Sequence, residues 1–161
     1  MKKLIYTLLI IIALTNNSFS AGTSSDSSDS SSNYTKAKNL IKAAKKYEKK
    51  GKTEKAQKRY AKAQKLLLKS NKEKPLQADT LNYLGFTTRK IGDYEKGEEF
   101  YLQGLQVEPN HNGINEYLGE LYIVTNRMDL AKERLEVLKS CDCKEYKQLK
   151  EIIEGTKKSK Y

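Results

Sequence analysis

The sequence predicts an all-α protein, a short solenoid of about three helix-turn-helix units closed by a C-terminal helix. Two observations predict it. "LNYLGF" at 81–86 and "NEYLGEL" at 115–121 set Leu84-Gly85 and Leu118-Gly119 thirty-four residues apart, a period that belongs to stacked supersecondary units. Within each unit, apolar and very small residues recur at helical spacing, and turn signals stand where one helix must stop and the next begin.

The chain opens with "MKKLIYTLLIIIALTNNSFSA": two lysines, an apolar run from Leu4 to Leu14, then small residues at Ser18 and Ser20. That is the layout of a secretory signal peptide over 1–20, cleaved after Ser20. An eleven-residue run at 1.5 Å per residue covers about half of the roughly 30 Å hydrocarbon core, which argues against an uncleaved anchor. The expectation is an exported chain, in the periplasm of a Gram-negative bacterium. Residues 21–33, "AGTSSDSSDSSSN", contain no branched apolar side chain and read as a disordered linker.

The full chain carries a net charge of +11, and loss of Lys2 and Lys3 with the signal leaves +9. Residues 34–77 hold sixteen basic and three acidic side chains, whereas 78–140 hold seven and eleven. A cationic first third allows weak contact of residues 36–74 with an anionic surface. Lysine is also abundant throughout and serves as an ordinary solvated residue. No nucleic acid partner is expected for an exported chain.

The first unit spans 37–70, with Ala43, Ala44, Tyr47, Ala56, Tyr60 and Ala63 at its apolar or small places, and seven extra residues, "NKEKPLQ", follow it. The second spans 78–111. Leu81, Leu84, Phe86 and Ile91 fall mostly on one face of its first helix, and "GD" at 92–93 stops that helix. Its second helix, 94–107, carries a stripe of Tyr94, Gly97, Tyr101, Gly104 and Leu105. Glu108 before Pro109 ends it, because the residue preceding proline is pushed out of the helical region. Interior glycines cost about 1 kcal/mol each in propensity, so Gly97 and Gly104 are expected to allow close packing.

The third unit, 112–143, supplies Leu118, Gly119, Tyr122, Ala131, Leu135 and Leu138. A helix pair cannot bury its own apolar face, so the last unit needs a cover. Residues 144–155 are expected to provide it as a helix with the stripe Tyr146, Leu149, Ile152 and Ile153, ended by Gly155. Residues 156–161 read as a disordered lysine-rich tail.

This pattern resembles the tetratricopeptide repeat, whose unit of 34 residues has leucine-glycine at places seven and eight, small residues at twenty and twenty-seven, an aromatic at twenty-four and proline at thirty-two. Unit 78–111 matches through Leu81, Leu84, Gly85, Gly97, Tyr101, Gly104 and Pro109, and departs at Thr88, where an aromatic is usual. The resemblance implies a right-handed solenoid whose first helices line a concave groove that binds an extended peptide or protein segment. Carried over place by place, the groove residues are Lys38, Ile41, Lys45 and Lys49; then Asp79, Asn82, Phe86, Arg89 and Lys90; then Glu116, Glu120 and Ile123. The groove would run from basic to acidic, with Phe86 and Ile123 as apolar contacts. The set by which chaperone-binding members grip a C-terminal carboxylate is not reproduced, since Ile41 and Tyr83 stand where it needs lysine and asparagine.

No catalytic, cofactor or metal site is expected: the chain lacks a G-x-S-x-G elbow, a phosphate-binding glycine loop and an H-E-x-x-H pair. His111, flanked by asparagines after Pro109, reads as a solvated turn residue, and Glu98-Glu99 as solvated charge. Cys141 and Cys143, the two cysteines, fall in the joint before the last helix. Asp142 with Glu145 three residues on has the form of a capping box. By their residues alone, the cysteines could bond each other, link to another chain, remain free or serve a redox or metal role. Small exported bacterial proteins of similar layout carry a cysteine pair before a terminal "EY" helix. "CDCKEY" resembles them with tighter spacing, and this implies a local disulfide. The leading expectation is a non-enzymatic protein-interaction scaffold; the alternative is a thiol-redox or metal-linked envelope protein acting through Cys141 and Cys143. If the signal reading holds, N-terminal sequencing of envelope-extracted protein will begin at Ala21, and an N-terminus at Met1 would refute cleavage.

Overall fold

A computed structural model describes residues 32–159. The expected signal peptide, all but the end of the linker and the last two residues of the tail lie outside the described residues. Those described form seven α-helices and no strand. Helices α1 (Asn33–Glu48) and α2 (Thr53–Glu73) make one pair, α3 (Ala78–Lys90) and α4 (Tyr94–Val107) a second, α5 (Asn112–Val124) and α6 (Met128–Leu138) a third, and α7 (Lys144–Ile153) follows alone. Each pair packs on itself, α2 packs on α3 and α4 on α5, and α7 rests on both α5 and α6.

The turn inside every pair is built the same way. Gly51 (φ +66°), Gly92 (φ +104°) and Asn126 (φ +59°) take the left-handed conformation at the fifteenth place of units beginning at 37, 78 and 112. Glycine enters that region without steric cost and asparagine tolerates it. The next N–H then reaches back five residues: Lys52 to the Tyr47 carbonyl at 2.9 Å, Asp93 to Thr88 at 3.2 Å and Arg127 to Tyr122 at 2.7 Å. These bonds satisfy carbonyls that the end of a helix would otherwise leave open. Asp93 then caps α4 by accepting from the Lys96 N–H at 3.0 Å.

The small residues let helices approach closely. A Cβ added at Gly85 would stand 2.5 Å from the Tyr101 ring, and one at Gly119 would stand 2.6 Å from Leu149 of α7. At Gly104 it would meet Ile114, and at Gly97 the Gly85 carbonyl at 3.1 Å. One buried cluster joins Ala37, Ile41, Ala44, Ala56, Tyr60, Ala63 and Leu67 of the first pair to Leu81, Leu84 and Phe86 of α3. A second gathers Tyr101, Ile114, Leu118, Leu121 and Ala131.

Several boundaries differ from the sequence expectation. Helix α1 starts at Asn33, a full turn before the first repeat place, because the Ser32 hydroxyl accepts from the Thr35 N–H at 3.2 Å. Helix α2 continues through the first three residues of the insertion, which contain nothing that breaks a helix before Pro75. Ile91 and Tyr94 are exposed rather than part of the stripe. Cys143, not Asp142, occupies the N-cap of α7, where no side-chain cap bond forms. Cys141 and Cys143 are disulfide-bonded to each other, and Asp142 points outward at 3.9 Å from Lys147.

Gly85→Ala should destabilise the protein in urea denaturation by about 1–3 kcal/mol, because overpacking against a buried ring exceeds the gain of about 1 kcal/mol in helix propensity. Unchanged or increased stability would contradict the close approach.

Candidate protein-interaction face

The first helices of the three pairs, α1, α3 and α5, bring the expected groove residues into one row, but much of that row is filled from within. Ile41, Asn82, Phe86, Arg89, Glu116 and Glu120 are all buried. They form the floor and supports of the face, and an approaching ligand would not meet them first. Large side chains at the neighbouring sixth place, Tyr83 and Tyr117, pack over them. The twice-repeated "YLG" was the sequence signal for these tyrosines, one place beyond those that the repeat pattern assigns to the groove.

Cations and aromatic rings interleave across the face. The Lys45 ammonium lies 4.5 Å from the Phe86 ring centroid and 5.6 Å from that of Tyr117, and it donates to the Tyr117 hydroxyl at 3.3 Å. Phe86 and Tyr117 are themselves 5.1 Å apart. Arg89, 2% exposed, places its guanidinium 5.8 Å from both the Tyr101 and Tyr117 rings and donates to the Tyr117 carbonyl at 2.8 Å. Burial holds its pKa below the usual guanidinium range, and Tyr101, Glu120 and Tyr117 nearby offset only part of that cost. Glu48 accepts from the Tyr60 hydroxyl at 2.8 Å and pairs with Lys90, tying α1, α2 and α3 together.

The exposed part of the row is its edge. Lys38, Lys49 and Asp79 are exposed and Ile123 is half-buried. Tyr34 packs edge-on to Tyr83 at 5.9 Å, with Lys38 5.2 Å from the Tyr34 ring. Asn82 is held close beneath Gly113, where an added Cβ would stand 2.7 Å from its Nδ2. Its Oδ1 is buried without a hydrogen-bond donor. At the far end, Ser159 of the tail donates to Glu120 Oε2 at 3.2 Å. Through Ser159 the tail makes defined contacts, Lys157 with Glu151 and Ser159 with Glu120.

Two other residues have roles that their sequence context hid. His111 is not a solvated turn residue: it caps α5, its Nδ1 accepting from the Ile114 N–H at 3.1 Å while Nε2 lies 3.3 Å from Asp79. The first turn of α5 needs such an acceptor. Glu98 is not solvated charge either, since Arg127 grips it with two bonds of 2.9 and 2.6 Å. Glu99 pairs with Lys96 along its own helix.

A cleft of about 620 Å³ lies between α1 and α2 with Leu40, Tyr47 and Ala61 among its walls and Lys55, Lys58 and Lys62 around them. Among the described residues, no group of three or more His, Cys, Asp or Glu side chains is arranged to hold a metal. No helix among them is long and apolar enough to cross a membrane.

Comparison with known proteins agrees on the fold and goes little further. No family model matches the chain. A chain of a solved structure titled "CopN-Scc3 complex" superposes with a TM-score of 0.50 over 86% of this chain and 83% of that one, at 18% sequence identity. That likeness places this chain among helical repeat folds. A stretch of 50 residues is 44% identical to the Sol locus transcriptional repressor of Clostridium acetobutylicum. The match takes in 31% of this chain and only 16% of that protein.

The tyrosines test this packing optically. Burial raises the hydroxyl pKa of Tyr60, Tyr101 and Tyr117, whereas the Arg59 hydrogen bond lowers that of Tyr47. A raised folded pKa means that the stabilisation is complete below the unfolded value near 10 and is lost as pH rises above it. Absorbance titration at 295 nm should therefore show Tyr47 ionising early, and the three buried rings ionising only in a cooperative step that coincides with loss of helix. Independent titration of all tyrosines near pH 10 would contradict the buried face.

Proposed function

We propose that this protein is an exported, non-enzymatic interaction scaffold of the tetratricopeptide type, which holds an extended segment of a protein partner along the face formed by α1, α3 and α5. The observation that carries this reading is the division of that face into a fixed floor and an open charged edge. Lys45, Phe86, Tyr117 and Arg89 are ordered by one another, while Lys38, Lys49 and Asp79 remain exposed. Preordered side chains lose little freedom on binding, and charges at the rim steer and select the partner.

The likeness to a chain of a two-name complex supports a protein as the partner class. Export rests on the first twenty residues, and the Cys141–Cys143 bond suits an oxidising compartment such as the periplasm. The short match to a transcriptional repressor spans a sixth of that protein, too little to carry its role over to this chain.

The test is affinity capture from an envelope extract with the full chain and with a Lys38→Glu, Lys49→Glu, Asp79→Lys variant. These substitutions should leave the helical signal in place, with a small loss of melting from the Asp79 contact to His111, while reducing recovery of the captured protein at least about tenfold. Equal recovery by the folded variant would refute the face as the binding site.

A further inference from the structure

The first helix pair keeps one side open. Its buried residues, among them Ile41, Ala44, Tyr60 and Leu67, pack inward with Leu81, Leu84 and Phe86 of α3. The cleft of about 620 Å³ is lined by residues of this pair alone, with Leu40, Tyr47 and Ala61 in its walls. A smaller hollow shares Tyr47 and Arg59 with it and adds Lys46 and Lys50. The two make one continuous surface.

Charge on that surface is almost wholly of one sign. Lys55, Lys58, Lys62 and Lys65 line the cleft, and with Lys69 they recur every three or four residues along α2, all exposed. Like charges at such spacings repel one another along a helix, so the row costs stability. The acids of the pair do little to relieve it. Glu48 is taken by Lys90 and the Tyr60 hydroxyl, Glu73 accepts from Asn33, and Glu54 forms one exposed pair with Lys58 at 2.6 Å. Among the described residues, Lys46, Lys50, Lys55, Lys62 and Lys65 enter no ion pair. Lysines near the other end of the fold differ: Lys132, Lys139 and Lys150 each have an acid one turn away. Arg59 lies 4.9 Å from the Tyr47 ring, and its hydrogen bond and charge, with Lys55 and Lys52 farther off, lower the pKa of that hydroxyl. The apolar walls thus lie in a positive field.

We propose that this side of the first pair is a docking surface for a bilayer bearing anionic phospholipids, with headgroup phosphates among Lys55, Lys58, Lys62 and Lys65. The row from Lys55 to Lys69 runs about 21 Å along α2 at 1.5 Å per residue, an array that matches many charges spread over a plane. A small anion would meet only one or two of its lysines. The walls of Leu40, Tyr47 and Ala61 give the glycerol and upper acyl carbons of a lipid an apolar seat, which the backbone of a nucleic acid would not use. Attraction of this kind grows with each lysine near the surface and fades within a Debye length. Lys38, Lys49 and Asp79 take no part in it, so a partner on the inner face would be held beside a membrane.

The test is vesicle sedimentation with the chain from Ala21, which keeps every described residue and leaves out the apolar run at 4–14, a segment that would enter any bilayer. Vesicles of phosphatidylcholine with about one third phosphatidylglycerol should pellet the protein, pure phosphatidylcholine should not, and salt should release it. Lys55→Glu, Lys62→Glu and Lys65→Glu together should lower the partition coefficient at least about thirtyfold. If that chain loses helix, Lys55→Gln, Lys62→Gln and Lys65→Gln remove the charge without adding acid to α2 and should still weaken binding about tenfold. Lys132→Glu, Lys147→Glu and Lys158→Glu together change the net charge as much as the first variant does, and should bind within about threefold of the unaltered chain. Equal loss in both charge-reversed chains would mean that net charge alone attracts the protein and would overturn the proposal. So would binding to duplex DNA or polyglutamate with the anionic vesicles ignored. Either failure leaves the inner-face reading standing, because none of these lysines belongs to that face.

Discussion

The stack depends on one layer of cation–aromatic contacts that runs beneath its inner face. Lys45 of the first pair reaches Phe86 of the second and Tyr117 of the third, and Arg89 of the second leans on the backbone and ring of Tyr117. Repeat proteins are ordinarily held by contacts between nearest neighbours. Here Lys45 and Tyr117, seventy-two residues apart, bridge units that are not adjacent. In a chain with few repeats such a bridge matters, because each pair by itself buries too little apolar surface to be stable.

The same layer defines what the face can do. Side chains that a partner might have touched are already engaged with one another, so the face offers a rigid floor with charge along its edge. Buried ions and polar groups add little net stability compared with well-packed apolar residues, but removing one partner leaves the other stranded at a cost of several kcal/mol. Buried Arg89, with Glu120 near its guanidinium and the Tyr101 and Tyr117 rings beside it, is such an arrangement. The Arg89 bond to the Tyr117 carbonyl ties α3 to α5.

Much of the architecture was legible because it repeats. The spacing of Leu84-Gly85 and Leu118-Gly119 located the helix pairs, and Gly92 aligned with Asn126 located a turn whose left-handed residue recurs at Gly51. Gly97 and Gly104 stood out as packing residues because nothing else explains glycine in mid-helix. What stayed hidden was relational. The pairing of Glu98 with Arg127 spans twenty-nine residues, and the capping role of His111 depends on its ring turning forward to the Ile114 N–H. The groove places gave a direction along each helix, but whether they were open depended on how far Tyr83 and Tyr117 lean across from neighbouring units. The tail looked featureless because its anchor, Glu120, lies in another unit.

The bridge between non-adjacent units is most directly measured by a double-mutant cycle in urea unfolding with Lys45→Met, Tyr117→Leu and the pair together. If Lys45 and Tyr117 tie the first unit to the third, the two effects will fall short of additivity by a coupling of about 1 kcal/mol. Effects that add within about 0.3 kcal/mol would mean that the units are joined only to their neighbours, and would contradict the account.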